Sequence, residues 1–170
     1  PYWVQYPGLA LPTPALKAAV LSDLTLLTLI GVRVVLVHGG GPELSTQLRR
    51  IGKETQLVGE LRVPAAETMQ VVQQMLAGKV NKDLVSLLGG RGIGLCGMDG
   101  GMLLCHKLNH PEGDLGFVGE IEKVRTPLLE FALDGGFIPV IATIGAGEDG
   151  TPYNINADTA ACKSALALKA

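Results

Sequence analysis

Aromatic residues are scarce, at 4% of the 170 residues, which argues against an aromatic-rich β-sandwich. Cysteine is also scarce: Cys96, Cys105 and Cys162 are odd in number and have no CxxC spacing. That argues against a disulfide framework or a zinc site on counting grounds and fits a reducing compartment. His38, His106 and His110 are too dispersed for a metal centre, so no metal ligand set is expected. The formal charge of -2 leaves no basic excess to follow a phosphate backbone, so nucleic acid is not an expected partner. No apolar run reaches the length needed to span a bilayer, since Ala18 to Ile30 is broken by Ser22, Asp23, Thr25 and Thr28. The first residues carry neither an Arg-rich transit pattern nor a charged-then-apolar signal, so a targeting peptide is expected to be absent or removed. The compartment is left open between cytoplasm and plastid stroma.

What is present is 23 Gly, 10 Pro and a 47% hydrophobic content, enough for one core. The pattern is one of strands and helices alternating through tight glycine turns, an α/β class. Thr13 is placed to cap a helix with Pro14 at its first position, followed by Leu16, Val20, Leu24 and Leu27 at helical spacing up to Gly31. The run Val32 to His38 has little alternation and predicts a central parallel strand covered on both faces. A second helix is expected over Glu43 to Ile51, and a third from Ala65 through Leu88 with a bend at Gly78. Gly92 to Cys96 reads as a short strand. Gly101 to Leu108 and Leu115 to Val124 read as an inserted β-hairpin around Asn109 to Asp114. Pro127 to Leu133 is expected to be helical, Phe137 to Ile144 a buried strand, and Ala157 to Lys169 a final Ala-rich helix. No strand follows that helix to use its place beside the sheet, which reads as a truncated domain.

Two local features point to a ligand. The first is the strand running into His38-Gly39-Gly40-Gly41-Pro42, where residues without Cβ atoms let backbone N–H groups approach a phosphate or carboxylate. The competing explanation is a tight turn that needs positive φ, and a glycine turn alone does not separate the two. It is neither a Walker loop, since no GK[ST] follows, nor a GxGxxG fingerprint. The second feature is Tyr153 to Asp158, YNINAD, which packs Asn154, Asn156 and Asp158 just before a helix. Capping explains one of these polar side chains and less easily all three. Arg62, an isolated cation in LRV, could grip a carboxylate in two-pronged geometry, although taken alone it is more often a surface ion-pair residue. Lys79 and Lys82 read as a solvated helix face, and His38 as a structural hydrogen-bonder at a strand end.

Taken together, VLVHGGGPE (Val35 to Glu43), LRV (Leu61 to Val63), AGKVNKDLVSL (Ala77 to Leu87), GLCGMDG (Gly94 to Gly100), LGFVGEI (Leu115 to Ile121) and YNINADTAA (Tyr153 to Ala161) resemble the N-acetyl-L-glutamate kinases of the amino-acid kinase family. The plant, algal and cyanobacterial type is the most similar, and LGFVGEI with NINAD sets this group apart from carbamate, aspartate and uridylate kinases. The resemblance implies a three-layer αβα sandwich with a mainly parallel sheet and an inserted hairpin. Residues 1–170 would be its N-terminal, acetylglutamate-binding part, with the nucleotide-binding part absent. It also implies phosphoryl transfer from ATP with Mg2+ to the γ-carboxylate of N-acetyl-L-glutamate, in arginine or ornithine synthesis. Such catalysis is mostly positioning and charge neutralisation. By the same resemblance Gly40 and Gly41 contact carboxylate and phosphoryl groups, Arg62 grips the α-carboxylate, Asn154 and Asn156 bind acetylglutamate, and Asp158 organises catalytic lysines. A homodimer or a hexamer of dimers is the implied assembly, and a PII signalling protein is an implied partner.

Several positions depart from the family pattern. A gapless alignment of Trp3 to Lys17 puts Gln5 where a phosphate-stabilising Lys is expected. Pro7 stands at the first glycine of a pair of which Gly8 is the second, and by the resemblance Gly8 belongs with Asp158 to the catalytic set. Gln can donate a hydrogen bond but cannot neutralise developing charge, and loss of one such contact costs about 10²-fold or more in rate. Gly59-Glu60 and Pro64-Ala65 flank LRV where DG and TD are usual, and the stretch after Leu88 is shorter by nearly a helical turn. A second catalytic Lys belongs to the half not seen here, and Lys163 and Lys169 do not replace it by position. Two readings remain: an N-acetylglutamate kinase that is incomplete or impaired, and a non-catalytic module that keeps acetylglutamate binding or subunit contacts.

Overall fold

The computed structural model describes residues 2–6, 13–53, 56–58, 61–63, 65–111 and 113–170, with 2–6, 56–58 and 61–63 described by backbone alone. Four strands form a fully parallel sheet: β1 (Tyr2–Tyr6), β2 (Val34–His38), β8 (Ile138–Ala142) and β5 (Gly92–Cys96), in the order β1-β2-β8-β5. All five side chains of β2 are buried, as its unalternating β-branched run predicts for a strand covered on both faces.

The two faces carry separate cores. On one face Val34, Leu36, Ile138 and Val140 meet Leu21 and Leu24 of α1 (Pro14–Leu29) and Leu84 of α4 (Asn81–Leu87). On the other, Val35, Val37 and Ile141 meet Leu129 and Leu133 of α5 (Pro127–Asp134) and Ala160 and Ala161 of α6 (Ala157–Leu168). This alternation is the period of two along a strand, turned into a three-layer αβα sandwich. No helix among the described residues is long and apolar enough to cross a membrane.

Helix α1 begins as its sequence predicts, with the Thr13 hydroxyl accepting from the Leu16 N–H and Pro14 at the first position. Its buried line is different from the expected one. Leu21 and Leu24 are buried, while Leu16 and Leu27 are 43% and 36% exposed, because the helix is apolar on more than one side and spacing alone does not choose the side that meets the sheet. Helix α2 (Gly41–Arg50) starts two residues before the expected Glu43, with Gly40 as its N-cap.

The long helical segment is not one continuous α-helix, and Gly78 falls inside its irregular part. Instead α3 (Ala66–Gln73) passes through a π-helical stretch, Gln74–Val80, directly into α4. The extra residue per turn shifts which side chains face the sheet, and Leu76, Val80 and Asn81 are buried as a result.

The expected hairpin forms from β6 (Leu103–His110) and β7 (Gly113–Val124), each reaching two residues further toward the turn than the sequence suggests, while β6 also begins two residues later. It does not stand alone: β9 (Ile144–Ala146) and β10 (Pro152–Asn154) close with it into a small barrel, β10-β7-β6-β9. The expected single strand from Phe137 to Ile144 is therefore two, separated by Thr143, with β8 in the parallel sheet and β9 in the barrel. Gly145 makes the second placement feasible, since a Cβ there would lie 2.4 Å from the Cys105 Sγ and 2.9 Å from the Leu103 carbonyl oxygen. A two-stranded antiparallel pair, β3 (Gln56–Val58) and β4 (Leu61–Val63), lies against β7 through β4.

Candidate functional site

A cavity of ≈ 130 Å³ opens where the parallel strands end. It is lined by Gly39, Gly40 and Gly41 after β2, Thr143 after β8, Val118 of β7, Asn154, Ile155, Asn156 and Ala157 around the start of α6, and Leu44 and Leu76. This is the carboxyl edge of an open α/β sheet, where ligands of such folds bind. The N-cap and first residue of α2, Gly40 and Gly41, and those of α6, Asn156 and Ala157, all line it. The two helix N-termini lie side by side: a Cβ on Gly39 would stand 3.7 Å from the Ala157 Cβ. Each N-terminus carries roughly half a positive charge, so the pair favours an anion.

The glycines are explained by close approach and not by backbone handedness. Gly39, Gly40 and Gly41 are all absent from the positive-φ residues, and Gly40 has φ -162, which any residue adopts. The reading of this segment as a turn that needs positive φ is thereby corrected. At Gly40 a Cβ would come within 2.5 Å of the Leu76 Cδ2, so the π-helical stretch packs directly beneath the loop. A Cβ on Gly41 would meet nothing within 4 Å.

Of the residues singled out in the sequence, Gly40, Gly41, Asn154 and Asn156 are brought together around this cavity. Asn156 is also the N-cap of α6, its amide oxygen accepting from the Thr159 N–H at 2.9 Å. Capping therefore occupies the oxygen, and the NH2 group is what Asn156 can offer a ligand. Asn154 sits on β10, registered against Ile144 on one side and Val118 on the other. Asp158 is exposed in the first turn of α6 and does not line the cavity. Gln5 lies in β1 opposite Val37, one residue before the pairing of Tyr6 with His38, so its strand ends beside the glycine loop. Arg62 is in β4 opposite Leu57; its side chain, like that of Gln5, and Pro7 and Gly8 altogether, lie outside the described residues.

His38 is the structural hydrogen-bonder its strand-end position suggests. The ring is fully buried, with Nδ1 2.9 Å from the Gly39 carbonyl oxygen and Nε2 3.0 Å from the Asn81 Nδ2. Burial pushes its pKa down to about 4, against a smaller upward pull from the bond to Gly39. The ring is neutral at physiological pH. Because the Asn81 NH2 also donates to the carbonyls of Val140 (2.8 Å) and Leu95 (3.3 Å), the proton on His38 belongs on Nδ1 and Nε2 accepts. Lys82 corrects the expectation of a wholly solvated face: its Nζ donates to the Asn81 Oδ1 at 3.1 Å and to the Gly94 carbonyl at 3.4 Å. Lys79 stays on the surface, paired with Asp83 one turn on. Lys163 is engaged by the Ile121 carbonyl, away from the cavity lining.

Sequence reasoning missed Thr143, which is 1% exposed and lines the cavity while its carbonyl accepts from the Ile155 N–H. A polar residue closing a buried parallel strand was the available signal. The apolar liners Val118, Leu44 and Leu76 had no such signal, since nothing in a single sequence distinguishes a core leucine from a cavity wall.

The sheet, the cleft at its carboxyl edge and the two helix N-termini opening on one cavity define an α/β protein with a small cleft at the strand ends. The chain matches the amino acid kinase family over residues 10–170, and it belongs to that family. An acetylglutamate kinase from Actinobacillus pleuropneumoniae serotype 3 (strain JL03) is 56% identical over 167 residues, which are 98% of this chain and 58% of that protein. The chain thus spans little more than half the length of this curated relative. Among solved structures, smu.665 from Streptococcus mutans UA159 superposes with a TM-score of 0.83 at 24% identity, over 99% of this chain and 67% of its own, a likeness of fold. N-acetylglutamate synthase from Neisseria gonorrhoeae, complexed with coenzyme A and N-acetyl-glutamate, has a TM-score of 0.81 at 26% identity, over 99% of this chain and 38% of its own.

Proposed function

We propose that the cavity binds N-acetyl-L-glutamate and that the chain is the acetylglutamate-binding part of an N-acetyl-L-glutamate kinase. The reaction is phosphoryl transfer from MgATP to the γ-carboxylate in arginine or ornithine synthesis. The observation that carries this reading is the convergence of two helix N-termini and two asparagines on one small cavity. A dicarboxylate with an acetamido group needs both kinds of partner: N–H dipoles for its charges and amide side chains for its peptide-like group. In this reading Gly40 and Gly41 meet the reacting carboxylate and the phosphoryl group, Asn154 and Asn156 the acetylglutamate, and Arg62 the α-carboxylate. Support also comes from the 56% identical relative that bears the name acetylglutamate kinase.

The donor's transferred end fits here, since backbone N–H groups at a helix start receive phosphate oxygens. A cavity of ≈ 130 Å³ is on the scale of a small acid. Bound MgATP would supply the phosphoryl group, with its magnesium held chiefly by the nucleotide's phosphates and water. A second reading, binding without transfer, is favoured by Gln5 at the position where the family resemblance expects Lys, and Asp158 lies off the cavity wall. On the same resemblance we propose a homodimer or a hexamer of dimers, which sedimentation showing monomer alone would contradict.

Calorimetric titration with N-acetyl-L-glutamate, with and without MgATP, tests the function. Heat of binding that Arg62→Ala removes, together with acyl phosphate formation when MgATP is present, is the expected result for the kinase. Binding that ignores nucleotide and yields no product supports the second reading. A folded chain that binds no acetylglutamate would overturn both.

A further inference from the structure

We propose that Asn81 and His38 form a positioning pair that fixes the shape of the Gly39-Gly40-Gly41 segment from beneath, and so sets where its backbone dipoles point. Consider what the pair joins. The Asn81 side chain, 0% exposed, directs its two amide hydrogens at three acceptors: the Val140 carbonyl in β8 at 2.8 Å, the His38 Nε2 at the end of β2 at 3.0 Å and, sharing a hydrogen, the Leu95 carbonyl in β5 at 3.3 Å. One amide therefore bridges three neighbouring strands of the parallel sheet, across the face on which α4 packs. His38 passes that constraint to the loop, because its Nδ1 holds the carbonyl of Gly39, the first cavity-lining residue after the strand.

The surroundings are shaped around this arrangement. Gly94 opposite Asn81 has no room for a side chain: a Cβ would lie 2.1 Å from the Asn81 Oδ1 and 2.3 Å from the Lys82 Nζ. Lys82 holds that same oxygen at 3.1 Å, so the amide can turn only with loss of its partners. The π-helical stretch Gln74–Val80 ends at Asn81 and lays Leu76 and Val80 under Gly40. Such stretches recur at functional sites because they re-aim side chains without ending a helix. A buried polar network with every member partnered is rigid, and rigidity is what a preformed anion cradle requires. The effect on ligand binding rests on the cavity being the acetylglutamate site. The effect on the loop does not.

Two near-isosteric substitutions separate the halves of the link. His38→Gln places an amide where Nε2 was, keeping contact with Asn81 and losing the hold on Gly39. His38→Asn places one where Nδ1 was, keeping the hold on Gly39. Backbone 15N order parameters of Gly39, Gly40 and Gly41 in the whole chain are expected to fall in both variants, from about 0.85 toward 0.6, since His38→Gln lets go of Gly39 and His38→Asn leaves that hold without its anchor on Asn81. N-acetyl-L-glutamate affinity should fall at least about tenfold in both variants, with far-UV spectra unchanged. Should His38→Gln fail to fold, Lys82→Met, on an exposed side chain, releases the Asn81 oxygen and is expected to lower the same order parameters. Glycine order parameters unchanged in the folded variants would overturn the proposal, whether or not acetylglutamate binds. A starting chain with no affinity for acetylglutamate would overturn the proposed function and leave the order parameters to decide this one.

Discussion

At the scale of single residues, the most exacting positions are glycines and one histidine. Gly40 is conformationally ordinary, so its requirement is spatial: a methyl group would meet the Leu76 Cδ2 at 2.5 Å and the Val80 Cγ2 at 3.3 Å. Leucine can swing its end aside, which makes the collision survivable but displaces the floor of the cavity. Gly40→Ala is expected to cost about 1–3 kcal/mol in chemical denaturation and to weaken acetylglutamate binding by more than its effect on folding. His38 predicts a pH dependence whose sign follows from its burial. With a folded pKa of about 4 against 6.5 unfolded, the unfolded chain takes up a proton between those values and the folded one does not. Stability attributable to the ring is therefore full above pH 6.5 and is lost as pH falls toward 4, reaching on the order of 2 kcal/mol between pH 7 and pH 5. Urea titrations at those two pH values should show a steeper loss for the unaltered chain than for His38→Asn. Equal slopes would mean the ring is hydrated or charged in the folded state.

At the scale of elements, α6 shows how one side chain carries two duties. Asn156 caps the helix with its oxygen and lines the cavity, so Asn156→Ala removes both and should cost about 1 kcal/mol of stability as well as affinity. Asn156→Asp keeps an acceptor for the Thr159 N–H and is a good cap, yet it replaces the NH2 by a carboxylate facing an anion site. Its thermal midpoint should stay close to the original while acetylglutamate binding is lost in titration calorimetry. If binding survives Asn156→Asp, the residue is a cap alone. The existence and type of most elements were legible: the Thr13-Pro14 start of α1, the buried run of β2 and the Pro127 start of α5 each had a local cause. The π-helical stretch was not, because Gln74 to Val80 has the same apolar spacing as an ordinary helix and its register is set by what it packs against.

At the scale of the whole molecule, the sheet separates two cores that share β2 and β8. Leu36 is fully buried between α1 and α4, and Val37, one residue on, faces α5 and α6. Leu36→Ala should lower stability by about 2–5 kcal/mol, measured by denaturant unfolding, and should broaden or shift one transition without splitting it. Two separate transitions would mean the layers fold independently, against the sharing of both strands.

The sequence alone determined the α/β class, the places of the main elements, and two of the segments that meet at the cavity. It could do so because apolar runs, glycine turns and helix starts are local signals, and because the motifs lie in a recognisable order. Only the tertiary structure decided that Gly40-Gly41, Asn154, Asn156 and Thr143 line a single cavity. It also decided that Phe137 to Ile144 divides between two sheets, and that Asn81, one polar residue in a helix, reaches His38 and two other strands. Those outcomes depend on contacts between residues far apart in the chain, where van der Waals fit and the need to pair every buried polar group select one arrangement among many that local propensity would allow.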